Sequence, residues 1–174
     1  SLKTAGLGTR GSLFLLDNGV STDESVRPTD LVTRLASRGN IGFGGGHNHL
    51  MRTAFENGFD IYIAVNPDGA LHPDAVRALV QMVQAADGKA LVEALQFPSE
   101  HPKPYDEHTL DTPWVSGACL AISKSAFDDL GGFDEDFFMY CEDVDLSWRA
   151  RANGYALKMC PRALFLHAVT NREL

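Results

Sequence analysis

GGFDEDFFMYCEDVDLSWRARANG, residues 131–154, is the stretch on which the reading of this chain turns. Its first half is acidic and aromatic and carries two glycines at its start. Its second half reads as a helix that opens at Glu142-Asp143 and stops at Gly154, with glycine in its usual position just past a helix end. Acids in a first helical turn favour the helix macrodipole and need no function. Asp145 and Arg149, four residues apart, fit a plain surface pair. The neighbourhood adds a chemical reading. Phe133, Phe137, Phe138, Met139 and Tyr140 are expected to form an apolar wall beside the acids, and partial desolvation there lifts a carboxylate toward the range of a general base.

A second acidic end lies well upstream. The apolar run Ile61-Tyr62-Ile63-Ala64-Val65 predicts a buried strand, and it stops at Asn66-Pro67-Asp68. A carboxylate just beyond a strand suits a hard divalent cation that bridges to phosphate oxygens. Pro67, Asp68 and Gly69 are equally well explained as a turn. Near the end of the chain, His167 follows an apolar strand and offers a neutral imidazole to a metal, although a lone histidine needs no such role.

Between these points, strands and helices alternate. Residues 12–16 predict a strand ending in a turn at Asp17-Asn18-Gly19. Leu31, Val32 and Leu35 predict a short helix over residues 28–37. Residues 40–46, NIGFGGG, read as a glycine-rich loop before a helix from about His47 to Asn57. Val76, Leu79, Val80 and Val83 mark an amphipathic helix after Pro73. Strands are expected over residues 89–95, 115–122, 155–160 and 163–166. A short helix over residues 123–130 starts from the Ser123 cap, and residues 97–113 read as an exposed loop. The pattern is α/β, one sheet covered on both faces. Ligand sites in such sheets lie beyond the carboxyl ends of strands, where Asp17, Asp68 and His167 all fall.

The 174 residues suit one domain with a proper core. A net charge of −8 disfavours nucleic acid, whose phosphates require a basic face. Three cysteines without C-x-x-C spacing suggest neither a disulfide framework nor a zinc ribbon, and reduced thiols of a cytoplasmic protein are the expectation. No apolar run is long enough to span a membrane. Peripheral association at the inner membrane face and homodimerisation stay open. The glycine run fails G-x-G-x-x-G at His47. His47 and His49, two apart on a helix, point to different faces. An EF-hand reading from Asp134 fails at Met139, where glycine is required. Arg149, Arg151 and Lys158 are available to meet phosphate or are solvated charges.

Four segments in order give a more specific reading: Asp17-Asn18-Gly19 with Ser21-Thr22-Asp23; Asn40-Ile41-Gly42-Phe43 with Gly45-Gly46-His47-Asn48; Val65-Asn66-Pro67-Asp68; and Gly117-Ala118 through Gly131-Gly132-Phe133-Asp134 to Glu142-Asp143-Val144-Asp145. Together they resemble the family 2 inverting glycosyltransferases, the rhamnosyltransferase-like bacterial branch in particular. The resemblance implies a GT-A fold, a mixed sheet that binds a nucleotide-diphospho-sugar donor, dTDP- or UDP-linked. It implies transfer to a carbohydrate or lipid-linked acceptor, with a divalent metal (Mn or Mg) as cofactor. In that reading Asp143 is the base, with Glu142 beside it. Asp17, Asn18, Asn40, Gly42, Asn48 and Asn66 meet the nucleotide and donor, and Asp68 and His167 hold the metal. Asn66 stands where the family's metal motif often has a second acid, and Val20 splits the usual D-N-x-S-T-D turn.

The resemblance also implies that residues 1–174 form a partial catalytic domain. Members of the family open with an apolar strand and a helix before the D-N-G segment, and here only residues 1–11 precede it. The sheet is therefore expected to lack its usual first strand, with residues 2–11, a neighbouring chain or water filling the gap. Two other functions stay in view: an inactive nucleotide-sugar-binding fragment, and a nucleotidyltransferase hinted at by the glycines of residues 6–11.

Overall fold

The computed structural model describes residues 11–19, 29–98 and 103–167. The expectations for residues 1–10 and for Ser21-Thr22-Asp23 lie outside the described residues. Eleven elements follow one another along the described chain: β1 (Leu13–Leu16), β2 (Val32–Leu35), α1 (Gly42–Glu56), β3 (Ile61–Val65), β4 (Gly69–Leu71), α2 (Ala75–Ala85), β5 (Ala90–Phe97), β6 (Cys119–Ser123), α3 (Lys124–Leu130), α4 (Glu142–Ala152) and β7 (Ala156–His167).

Five strands make the main sheet in the order β3-β6-β5-β7-β4. β5 and β7 run parallel, while β3 pairs β6, β5 pairs β6 and β4 pairs β7 antiparallel. One core, with Met51, Leu91, Leu120, Ile122, Leu146 and Leu157, joins the sheet to α1 and α4. The other, with Leu79, Val83, Val92, Ala121 and Phe165, joins it to α2. Both faces are covered, and the fold is the mixed α/β sheet expected. Ser123 caps α3 by accepting a hydrogen bond from the Ala126 N–H, and Gly154 takes a left-handed φ of 80° just past α4.

Three local expectations are corrected. Residues 32–35 form β2 rather than part of a helix; it lies parallel to β1, Leu13 opposite Val32 and Leu16 opposite Leu35. The spacing of Leu31, Val32 and Leu35 fits a short strand as well as a helical turn, and β-branched Val32 and Thr33 favour the strand. The glycine run is no loop either, because α1 already begins at Gly42. Glycine is a poor helix former, but tertiary contact overrides the propensity: a Cβ on Gly42 would stand 2.5 Å from the Phe138 carbonyl oxygen, and its φ is +77°. Finally, residues 156–167 form one strand. Its register against β5 jumps from Ala94↔Cys160 to Leu95↔Leu164, so residues 161–163 make the bulge that looked like a break.

Among the described residues β1 and β2 form a two-stranded sheet of their own, not hydrogen-bonded to the five-stranded one. α1 packs on both β1 and β3 and spans the two. No helix among the described residues is long and apolar enough to cross a membrane.

Candidate active site

The turn at Pro67-Asp68 exists, and it does more than reverse the chain. It feeds β4, whose Gly69 pairs with His167 at the end of β7. That register brings Asp68 to His167 across 99 residues of sequence: Asp68 Oδ1 and His167 Nε2 stand 3.1 Å apart. The imidazole is buried and stacks on Phe165, with ring centroids 5.2 Å apart. Its Nδ1 lies 2.9 Å from Gln96 Oε1, and Gln96 Nε2 donates to Ser116 Oγ at 3.1 Å.

The donor set fits a hard cation of modest demand. Adjacent ligands of an octahedral ion, each roughly 2.1 Å from it, stand about 3 Å apart, close to the observed separation. Among the described residues no group of three or more His, Cys, Asp or Glu side chains converges. A cation here would take two protein ligands, with its remaining positions open to phosphate oxygens and water, as such ions prefer beside nucleotides.

The second acidic end meets the first through two neighbouring residues. Gly117 N–H donates to Asp143 Oδ2 at 2.9 Å, and the Ala118 carbonyl accepts from Asn66 N–H at 2.9 Å. The loop before β6 therefore clamps the Asn66-Pro67-Asp68 turn and the start of α4 to one end of the sheet. Tyr140 and Cys141 enter α4 with φ of 69° and 72°, a conformation non-glycine residues adopt at a cost and which concentrates at functional sites.

Asp143 Oδ1 also accepts from the Val144 N–H at 2.8 Å. Glu142 is buried, and its Oε2 has no hydrogen-bond partner among the described residues. Burial pushes the Glu142 carboxyl above the ordinary range, and the neighbouring Asp143 charge adds to this. The aromatic wall is corrected: Phe133 is buried in the core, while Phe137, Phe138, Met139 and Tyr140 are exposed. Desolvation comes from packing at the start of α4, and it falls on Glu142.

On the front side, Asn18 joins β1 to α1. Its Nδ2 donates to the Gly42 carbonyl at 2.7 Å and its Oδ1 accepts from Ile41 N–H at 3.1 Å. Asp17 lies 3.7 Å from Arg34 and accepts from Gly19 N–H, and Asn40 Oδ1 accepts from Gly42 N–H. Asn48 is 1 % exposed and acts as a clamp. Its amide exchanges hydrogen bonds with both backbone groups of Phe133 and donates to Glu135, which occupies both of its donor hydrogens. His47 bonds Tyr62 at 2.8 Å and burial lowers its pKa to about 4.

The basic residues read as free for phosphate are engaged. Arg149 bonds Asp145 and the carbonyls of Leu130 and Gly132. Arg151 donates to the carbonyls of Thr112 and Pro113, and Lys158 pairs with Asp111. Sequence reasoning missed a buried pair: Lys103 Nζ lies 2.6 Å from Glu93 Oε1, with side chains 5 % and 1 % exposed. Lys103 also sits over the Trp114 ring, and Glu93 Oε2 accepts from Ser116 N–H at 2.9 Å. Burial opposes charge on both partners, raising Glu93 and lowering Lys103. The signal lay in β5, where Glu93 and Gln96 interrupt an otherwise apolar strand. The loop over residues 97–113 is thus not simply exposed, since Lys103 and Thr112 are inside.

The mixed sheet is that of the GT-A glycosyltransferase fold. The chain superposes on GalNAc-T7, solved with UDP, GalNAc and Mn2+, at a TM-score of 0.74 and 14% identity, covering 90% of this chain and 37% of that one. It also superposes on the mannosyltransferase PcManGT from Pyrobaculum calidifontis, solved with GDP-Man and Mn2+, at a TM-score of 0.71 and 19% identity, covering 93% and 49%. In sequence it is 30% identical to the N-acetylglucosaminyl-diphospho-decaprenol L-rhamnosyltransferase of Mycobacterium tuberculosis, over 90% of this chain and 66% of the relative. The chain belongs to the rhamnosyltransferase-like branch of the family 2 glycosyltransferases. It spans just under two thirds of the length of that relative. No family model matches it.

Proposed function

We propose that this chain is the catalytic domain of an enzyme that transfers a sugar from a dTDP- or UDP-linked donor to an acceptor hydroxyl, with inversion at the anomeric carbon. The observation that carries the reading is the loop before β6, whose Gly117 N–H holds Asp143 while the next carbonyl, of Ala118, holds the Asn66-Pro67-Asp68 turn that brings Asp68 to His167. A divalent cation (Mn or Mg) held by Asp68 and His167 would offset negative charge on the departing nucleoside diphosphate. Asp143, aimed by the Gly117 N–H, takes the proton of the acceptor hydroxyl. The acceptor oxygen then bonds to the anomeric carbon as the bond to the diphosphate oxygen breaks on the opposite face. One displacement with one base needs no protein nucleophile, and the configuration inverts.

Asp17, Asn18, Asn40, Gly42 and Asn66 are assigned to the nucleotide side of this site. The name of the mycobacterial relative supports a lipid-linked carbohydrate acceptor, and with it polysaccharide assembly at the cytoplasmic face of a membrane. Incubation with dTDP- and UDP-sugars, Mn2+ and a prenyl-diphosphate-linked sugar tests the proposal. An elongated lipid product of inverted configuration is the expected result, and its absence with every donor counts against it. A second reading, a domain that binds nucleotide sugar without turnover, is favoured by the separation of β1–β2 from the main sheet. Release of free sugar from the donor in the presence of Mn2+ excludes that reading.

A further inference from the structure

Gln96 stands at the meeting point of the two halves of the site and is absent from every role assigned so far. It lies in β5, 4 % exposed, and both ends of its amide are used. The nitrogen donates to Ser116 Oγ, and the oxygen lies 2.9 Å from His167 Nδ1. An amide oxygen only accepts, so His167 Nδ1 must carry the hydrogen. In the neutral ring Nε2 then presents a lone pair to Asp68 Oδ1, 3.1 Å away. Two facing acceptors repel unless a metal ion or a proton on Nε2 lies between them, and with either one Nδ1 keeps its hydrogen toward Gln96. The ring is buried and stacked on Phe165, which opposes a flip.

The same amide reaches the catalytic loop. Ser116 precedes Gly117, whose N–H holds Asp143. Ser116 N–H is itself held by Glu93, paired with Lys103. One buried side chain therefore touches both the candidate metal ligand and the segment that aims the base.

We propose that Gln96 is a positioning residue that fixes His167 as its Nδ1–H tautomer, directs Nε2 to a cation shared with Asp68, and ties that histidine to the loop gripping Asp143. The proposal rests on the metal reading above. It adds a partner behind the histidine, and such partners typically change metal affinity by roughly 10–100-fold when removed.

The test has two readouts besides turnover. In metal-free protein, two-bond 1H–15N correlation of the imidazoles, assigned with His167→Ala, reports the tautomer and needs no Gln96 variant. His167 should appear as Nδ1–H. An Nε2–H ring overturns the proposal, because Gln96 would then be donating its nitrogen to the ring. Mn2+ binding, followed by electron paramagnetic resonance with the metal alone, supplies the second readout. Gln96→Leu and Gln96→Met should weaken Mn2+ binding by roughly 10–100-fold, whereas Gln96→Glu, which keeps an acceptor behind Nδ1, should restore it to near the wild-type value. A residue that merely packs would let Gln96→Met, close to glutamine in length and volume, bind Mn2+ as well as Gln96→Glu, and that pattern overturns the proposal. If Asp68→Asn and His167→Ala leave Mn2+ affinity unchanged, the metal reading beneath the proposal has failed. A failure confined to the Gln96 variants is a failure of Gln96 alone.

Discussion

Two regions bury polar groups, and they do so in different currencies. Beneath Gly117 a buried acid–base pair, Glu93 with Lys103, leads through Ser116, Gln96 and His167 to the exposed Asp68. Around α1 the buried groups are neutral: Asn48 against Phe133, Asn18 against Gly42, His47 against Tyr62. Buried charge is costly unless paired and hydrogen-bonded. The fold accepts that cost only where charge chemistry is proposed. Around α1, where the task is to hold loops, amides and an uncharged imidazole suffice.

The sharpest way to break this comparison is Asp143→Asn. A base acts on the acceptor proton in the transition state and adds little to donor affinity. The expected result is a fall in transfer of roughly 10²–10⁴-fold with donor binding by calorimetry nearly unchanged. Transfer near the wild-type rate would remove Asp143 from the role and point to Glu142.

Next in size is Lys103→Met, which strands the Glu93 carboxylate. Removing one partner of a buried pair costs about 3–5 kcal/mol, while replacing both with apolar residues costs far less. Urea denaturation of Lys103→Met and of the double variant Glu93→Leu/Lys103→Leu tests this. Equal losses in the two would show that the pair acts by packing alone.

Around α1, acid should matter through His47. Its folded pKa, about 4, lies below the ordinary histidine value of 6.5, so the unfolded chain takes the proton first. The stability it contributes is complete above pH 6.5 and is lost as pH falls toward 4, on the order of 2–3 kcal/mol. His47→Gln, which retains a partner for Tyr62, should flatten the difference in urea midpoint across that window. An unchanged slope would remove His47 from the account.

The smallest effect is expected from Gly42→Ala. With φ at +77° and Phe138 oxygen 2.5 Å from the added carbon, the loss should exceed about 1 kcal/mol. A neutral result by urea denaturation would mean that the start of α1 shifts freely.

What could be read in the sequence follows from how local each signal is. β3, α2 and α3 carry their own periodicity or caps, and residues 131–154 announce α4. Asp68 and His167 could be paired because both end apolar strands. β2 could not be separated from a helix, as three apolar residues at that spacing serve either. The glycines of α1 mislead by propensity because their reason is tertiary: Gly42 must pass Phe138, and a Cβ on Gly44 would stand 3.0 Å from the Phe133 Cβ. Glu93 and Gln96 stand out as polar residues in an apolar strand, but what they meet is not legible, because Lys103, Ser116 and His167 lie elsewhere in the chain and nothing in composition links them.

The bulge in β7 has a consequence for how the chain tolerates change. Successive residues of a strand alternate sides, so face is a matter of odd and even counts. Cys160 and Leu164 oppose adjacent residues of β5, which makes residues 161–163 an insertion of three. The bulge breaks that count: Cys160 and Leu164 are four residues apart, yet they pair with neighbouring, opposite-facing residues of β5, and Leu157 and Phe165, both odd, pack in different cores. Faces beyond the bulge are therefore set by pairing with β5 and not by counting from the residues before it. His167 keeps the side of Gln96 as long as Leu164 stays opposite Leu95, so length within residues 161–163 is free to vary where that pairing is kept.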